Sequence, residues 1–260
     1  MSERLFLYID ILGFKDLVAK GFDIMSIYEK IDRLPAHSDE GFSCIVFSDT
    51  IVVYGDGYWL RHQNQGIMWL AEFAQHLFYN LISLDVHIRA YLTSGDFEHH
   101  KLKNLEAYYG EALVKCYERE KDIKSTGLFI DSKLLPYCDI FKTTEYDEHS
   151  HYVHVMQHLD EISWRHGMYP IPGICVSSTG AEWWLAYLLT YLRNTHKHAN
   201  DISLPEATRL KHRNAWNMIS QHHPGLTQTL EETDFNFREI VDIDWAEPLR
   251  RIGTEEGAWG

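Results

Sequence analysis

Two apolar runs of strand length, each with one carboxylate set into it, constrain this chain most: LFLYIDILGF at 5–14 and FSCIVFSDTIVVYGD at 42–56. Side chains alternate along a strand, so Phe6, Tyr8 and Asp10 share one face of the first run, and Ile45, Phe47 and Asp49 one face of the second. A charged carboxylate inside a buried strand is costly unless something pairs with it. No basic residue stands beside either aspartate in sequence, so the expectation is a cation held between them. Two carboxylates at strand ends, completed by water and phosphate oxygens, suit Mg²⁺ or Mn²⁺ on a nucleotide. The competing reading is that each aspartate caps a following turn or helix, since Asp10 precedes Gly13 and a helical pattern.

The charge balance narrows the partners. With 38 acidic against 24 basic residues the net charge is −14, which argues against a nucleic-acid polymer or an anionic membrane. A nucleotide stays open, because metal ions and a few lysines can meet its phosphates. An apolar content of 45% is enough for a real core. Cys44, Cys116, Cys138 and Cys175 show no CxxC spacing, and the first two fall in apolar patterns as small core residues. The first apolar run contains Asp10 and lacks a cleavage site, and the longest run, WWLAYLLTYL from Trp183, is too short to cross a bilayer. A soluble, cytoplasmic protein is the expectation.

Taken in order, residues 16–34 have helical spacing broken near Gly21 and stopped by Pro35. Ser48-Asp49 marks a tight turn joining two strands, Asn64 is placed to cap the next helix, and VHIRAYLTSGDF at 86–97 reads as a fourth strand with Arg89 inside it. Gly55-Asp56-Gly57 reads as a hairpin turn. The order to about residue 165 is β-α-β-β-α-β with additions, an α+β, ferredoxin-like arrangement. Beyond it, 166–260 reads as a C-terminal helical extension. Thr179 with Glu182 and Ser203 with Glu206 are capping-box patterns that open a helical hairpin, and the tail from Leu230 reads as half ordered.

YIDILGF resembles the first metal motif of class III nucleotidyl cyclases, and the resemblance covers roughly 1–165. It implies that Asp10 binds two metals (Mn²⁺ or Mg²⁺), that Ile11 gives a backbone carbonyl, and that Asp49 is the second carboxylate. It also implies a homodimer with shared sites, in which Gly110 opens the interface helix. The departures matter. Ile45 and Ala107 stand where purine cyclases read the base, and Val114 and Glu118 replace the transition-state Asn and Arg. YVHVMQ has no phosphate lysine. YIDILGF, FSDTIVVY and GEALVKCYERE together are similar to the pyrimidine cyclases of bacterial Pycsar anti-phage systems. That likeness implies UTP or CTP as substrate and a cyclic nucleotide messenger, cyclic UMP or cyclic CMP, acting on a separate effector protein. The alternatives are a cyclase-like module that binds without turnover, and an ordinary adenylyl or guanylyl cyclase.

Lys101, Lys103, Lys115 and Arg119 are the candidates for the missing phosphate contacts, with Lys15 beside the metal strand. The bland reading of EREKDIK is a solvated helix end, Glu118 and Lys121 being i, i+3 neighbours. His149, His151, His154 and His158 have no recognised zinc spacing. The pairs His196/His198 and His222/His223 close helices, and Trp183 and Trp184 read as packing residues.

Overall fold

The computed structural model describes residues 2–38, 41–165 and 167–252. These residues fall into two compact units, one within 2–77 and 87–155, the other within 78–86 and 156–252. The second unit thus takes in 78–86 and 156–165, which the sequence reading left with the first.

The first unit begins with β1 (Ser2–Ile11), α1 (Phe14–Ala19) and α2 (Ile24–Asp32). Gly21, at φ +70, breaks the helical run where the sequence suggested, and Asp23 restarts it by accepting from the Met25 N–H at 3.1 Å. Next come β2 (Phe42–Phe47), β3 (Thr50–Gly55), α3 (Gly57–Arg61) and α4 (Gln63–Ile82). The Gly55-Asp56-Gly57 stretch is not a hairpin turn. Asp56 caps α3, accepting from the Tyr58 N–H at 2.8 Å. Asn64 lies inside α4 and donates to Asp139 rather than capping the helix. The unit continues with β4 (Ile88–Lys101), β5 (Glu106–Tyr109), α5 (Glu111–Asp122), β6 (Gly127–Asp131), β7 (Thr143–Asp147) and β8 (Ser150–Val153).

The sheet order is β2-β3-β1-β4-β6-β8-β7, with β5 paired to β4 off this path. Its first four strands, β2-β3-β1-β4, have the ferredoxin-like order, and β1 is antiparallel to both β3 and β4. From Leu5 onward β1 is buried on both faces, as a central strand must be. One face carries Leu5, Leu7, Ile9, Ile51, Val53, Ala90 and Leu92, all fully buried, each larger side chain worth about 1.5–3 kcal/mol relative to exposure. Gly66 of α4 lies so close to this face that a Cβ would come within 2.5 Å of Leu5. Registered pairs put Tyr8, Asp10, Thr50, Val52, Arg89 and Tyr91 on the opposite face, where α5 packs.

The second unit holds α6 (His158–Ser163), β9 (Ile171–Pro172), α7 (Ile174–Ser177), α8 (Ala181–Asn200), α9 (Glu206–His222), α10 (Pro224–Glu232), β10 (Val241–Asp242) and α11 (Ala246–Arg251). Leu185, Leu188, Leu189 and Leu192 of α8 are fully buried at helical spacing, and α8 and α9 form the expected hairpin. Neither capping box is made. Gly180 and Pro205 precede the two helices without a side-chain cap, and Ser203 bonds Asp201 instead. The tail is more ordered than the sequence suggested, since β10 pairs with β9 and α11 runs to Arg251. Trp184 stacks on His158 at 5.4 Å and meets the edge of Tyr79, and Arg251 sits over Trp183, so both tryptophans pack. Among the described residues no helix is long and apolar enough to cross a membrane.

Candidate metal and nucleotide site

The end of β1 and the turn between β2 and β3 meet in one place. Asp10 is registered opposite Thr50, and the Ile11 N–H donates to the Asp49 carbonyl at 2.9 Å. This ties the backbone of all three expected metal residues together. The turn is a two-residue loop, because Phe47 pairs with Thr50 and Ser48 takes φ 55. Asp49 is half-buried in that turn, whereas Asp10 is only 9% exposed.

The cation expected between the aspartates is, for Asp10, partly supplied by the chain itself. Arg89 lies opposite Asp10 in the β1–β4 register, and its Nη2 donates to Asp10 Oδ2 at 2.7 Å. The same nitrogen donates to Glu120 Oε1 at 2.7 Å, and Nη1 donates to the Ile123 carbonyl at 2.9 Å. The sequence reading noted Arg89 but not its partner, because cross-strand neighbours follow from register and not from proximity along the chain. The Tyr8 hydroxyl donates to Glu120 at 3.3 Å and bonds Thr50 at 3.2 Å, joining α5 to the turn. Burial, reinforced by the Glu120 and Asp10 charges and only partly offset by Thr50, pushes the Tyr8 phenol up to about 12, so it is neutral at ordinary pH.

The four candidate phosphate cations do not gather here. Lys115 and Arg119 project one helical turn apart from α5 and are engaged within their own chain. Lys115 pairs with Asp131, which also accepts from the Thr93 hydroxyl at 2.9 Å and the Lys133 N–H at 3.0 Å. Arg119 pairs with Asp147 at 2.6 Å and donates to the Ser150 hydroxyl at 3.0 Å. Burial is the largest single influence and works to raise both carboxyls, but the bonds from Lys115, the Lys133 N–H and Thr93 at Asp131, and from Arg119, the His149 N–H and Ser150 at Asp147, together outweigh it and hold both below the usual range. Lys101 is exposed at the end of β4, 3.7 Å from Glu106, and Lys103 is exposed in the bend before β5. Lys15 is exposed on α1. Asp131 and Asp147 were the residues the sequence reading missed; the i, i+4 spacing of Lys115 and Arg119 was the one available signal.

The open part of the Asp10 face runs outward along β2. Ile45 is half-buried there opposite Val52, and Phe47 is 77% exposed beside the turn. Ala107 lies on β5 opposite His100. A cleft of ≈ 800 Å³ is lined by Met25, Tyr28, Cys44 and Val46 on the other side of β2 and reaches Phe47 and Ser48 at the turn. Among the described residues it also carries Glu29 and Asp32 and no lysine or arginine, which unsuits it to a triphosphate. Burial pushes the Cys44 thiol up to about 12, so it is no nucleophile.

The donor set at the strand ends is all oxygen, the chemistry of a hard divalent cation. Arg89 offsets one of the charges of Asp10 and Glu120; Asp49 brings the local total to two negative charges, which a divalent cation would neutralise. The residues present therefore fit Mg²⁺ or Mn²⁺. The histidines give no rival centre in 149–158: His154 is buried and bonds Thr144 at 2.8 Å, and His158 bonds Glu161 at 2.8 Å. In the second unit Asp160, His222 and His223 converge, His223 sharing a 2.7 Å hydrogen bond with Ser163. The Ser163 hydroxyl is committed to the Leu159 carbonyl, so it accepts from the His223 Nδ1–H, and that nitrogen is not offered to a metal.

No protein-family model and no curated protein matches the chain. Among solved structures it is similar to a bacterial light-regulated adenylyl cyclase, at 9% identity over 59% of this chain and 90% of that one, with a TM-score of 0.40. It is similar to the adenylyl cyclase CyaB from P. aeruginosa at 10% identity, covering 58% and 93% of the two chains, TM-score 0.40. The guanylate cyclase domain of RhGC from Catenaria anguillulae, in complex with GTP, matches at 9% identity over 58% and 95%, TM-score 0.41.

Proposed function

We propose that the first unit is the catalytic unit of a nucleotidyl cyclase, taking a nucleoside triphosphate to its 3′,5′-cyclic monophosphate and pyrophosphate. The observation that carries this is the junction of β1 with the β2–β3 turn, which sets Asp10, Ile11 and Asp49 together beside an open, apolar strip of sheet. Asp10 and Asp49 hold two Mg²⁺ or Mn²⁺ ions, with the Ile11 carbonyl as a further oxygen. When bound, these ions lower the pKa of the ribose hydroxyl and neutralise the triphosphate. The 3′-oxygen forms its bond to the α-phosphorus as the bond to the bridging oxygen breaks; pyrophosphate leaves and the hydroxyl proton passes to solvent.

The substrate of this reading is a pyrimidine triphosphate, UTP or CTP. Ile45 and Ala107 offer no hydrogen bond to a purine edge, and Phe47 adds an apolar wall beside the turn. The working form is a homodimer with shared sites. Exposed Phe47, Val114, Tyr117 and Tyr109, the last three on or beside α5, supply its apolar contact. Lys101 and Lys103, exposed on the hairpin at the far end of β4, have no buried carboxylate partner among the described residues, whereas the charges of Lys115 and Arg119 are met by Asp131 and Asp147, so the first two stay the phosphate candidates of this reading. The product would serve as a messenger in anti-phage defence, read by a separate effector.

A second reading, nucleotide binding without turnover, is favoured by one observation: Arg89 and the two α5 cations, Lys115 and Arg119, all have carboxylate partners within the chain. Comparing Asp10→Asn and Asp49→Asn with the wild type separates the two. Under the cyclase reading both variants stay folded and lose turnover; substantial turnover in either would refute the metal assignment.

A further inference from the structure

Arg89 holds its two carboxylates in an unusual way. One terminal nitrogen, Nη2, serves both Asp10 and Glu120 at 2.7 Å, while Nε, on the same edge of the guanidinium, has no partner among the described residues. The side chain is only 5% exposed, so no abundant solvent compensates that N–H. An arginine edge of this kind normally meets one carboxylate with two parallel bonds, from Nη2 and Nε together. Here it is split between two acids, and one bond is unmade. Glu120 has the reach to complete that pair. It sits on α5, its other oxygen accepts the Tyr8 hydroxyl at 3.3 Å, and its side chain is 25% exposed.

We propose that Arg89 is the resident counter-ion of the metal-free site, and that Glu120 takes the guanidinium over when a divalent cation binds Asp10. This rests on the metal reading above and goes beyond it. In the metal-free state Arg89 compensates the buried Asp10 charge, which a chain without a bound metal must do in some way. On loading, Asp10 turns its charge to the metal, and Arg89 pairs with Glu120 through Nη2 and the formerly orphaned Nε. Arg89 and Glu120 are therefore positioning residues with opposite effects. Arg89 competes with the metal; Glu120 relieves the competition. Because the Tyr8 hydroxyl links Glu120 to Thr50, next to Asp49, the same exchange bears on the turn that carries the second carboxylate.

The test is Mn²⁺ affinity, measured on the full chain by calorimetry or by the free-Mn²⁺ signal in electron paramagnetic resonance, with no nucleotide present. Losing one charge-assisted partner of Arg89 should weaken Mn²⁺ about tenfold in Glu120→Gln, and removing the competitor should tighten it by about tenfold in Arg89→Met. Glu120→Asp, which keeps the charge, should lie nearer the wild type than Glu120→Gln. If Arg89→Met does not fold, Arg89→Gln, which removes the charge but keeps a hydrogen-bond donor, should also bind Mn²⁺ more tightly than the wild type. Equal affinities in Glu120→Gln and the wild type, or weaker binding in Arg89→Met or Arg89→Gln, would overturn the proposal. Asp10→Asn separates this from the premise: if it binds Mn²⁺ as well as the wild type, the metal reading itself fails. If it abolishes binding while the Arg89 and Glu120 variants leave affinity unmoved, only the exchange is wrong.

Discussion

Lys115→Met decides whether this lysine ties the fold together or waits for a phosphate. Asp131, at the end of β6, has a side chain only 6% exposed, and Lys115 is its one cationic partner among the described residues, itself 29% exposed. Breaking a buried pair by removing one side costs about 3–5 kcal/mol, because the other charge is left uncompensated. Two features reduce that figure: Asp131 keeps its bonds from Thr93 and the Lys133 N–H, and the lysine is partly in water. A loss of about 2–3 kcal/mol is expected for Lys115→Met. Asp131→Asn should recover part of it in the double variant, with a coupling of more than about 1 kcal/mol. Urea unfolding followed by tryptophan fluorescence and by circular dichroism, to check that the transition is single, reads both quantities. A loss under about 0.5 kcal/mol would show that Lys115 is a solvated surface charge, and would return it to the list of phosphate contacts.

Gly110→Ala should unfold or severely destabilise the first unit, by about 3 kcal/mol or more, read as a lowered thermal midpoint. Its φ is +152, and a Cβ there would lie 2.1 Å from the Asp96 carbonyl oxygen, which is backbone and does not give way. The pH dependence follows from Asp131 and Asp147, both held below the usual range. The folded state binds fewer protons than the unfolded one at these groups, so their stabilisation is full above about pH 4 and is lost as pH falls through the folded values. An acid titration of Asp131→Asn with Asp147→Asn should therefore show a shallower loss of stability below about pH 4 than the wild type. Phe47→Asp, at a position 77% exposed, should leave the monomer's stability within about 0.5 kcal/mol but shift sedimentation from dimer to monomer. Dimers that persist in this variant would remove Phe47 from the interface.

The ferredoxin-like core was legible because its signals are local. Alternation and apolar runs mark β1, β2 and β3, Gly21 breaks the helical run, and the Ser48-Asp49 turn sets the hairpin. The short β5 and β7 were not legible, because EAYY and TTEYD are half exposed and carry no apolar alternation. The capping boxes misled for a physical reason: the pattern states that a side chain can cap, whereas Gly180 and Pro205 put the helix starts one to two residues further on. Asp10 and Asp49 stand out in the sequence as carboxylates set into apolar runs, but their charge environment does not. Arg89 is 79 residues from Asp10 and becomes its neighbour only through antiparallel register, and Lys115 meets Asp131 only after α5 folds over β4 and β6. Pairings of this kind belong to tertiary structure, and they changed the candidate site most.

The most direct measurement incubates the purified full chain with each of the four nucleoside triphosphates and Mn²⁺, and identifies the products by mass. The account predicts a 3′,5′-cyclic pyrimidine monophosphate with equimolar pyrophosphate, formed from UTP or CTP and abolished by Asp49→Asn. A faster reaction with ATP or GTP would contradict the pyrimidine assignment, and no cyclic product from any of the four, with Mn²⁺ shown to bind, would contradict the cyclase itself.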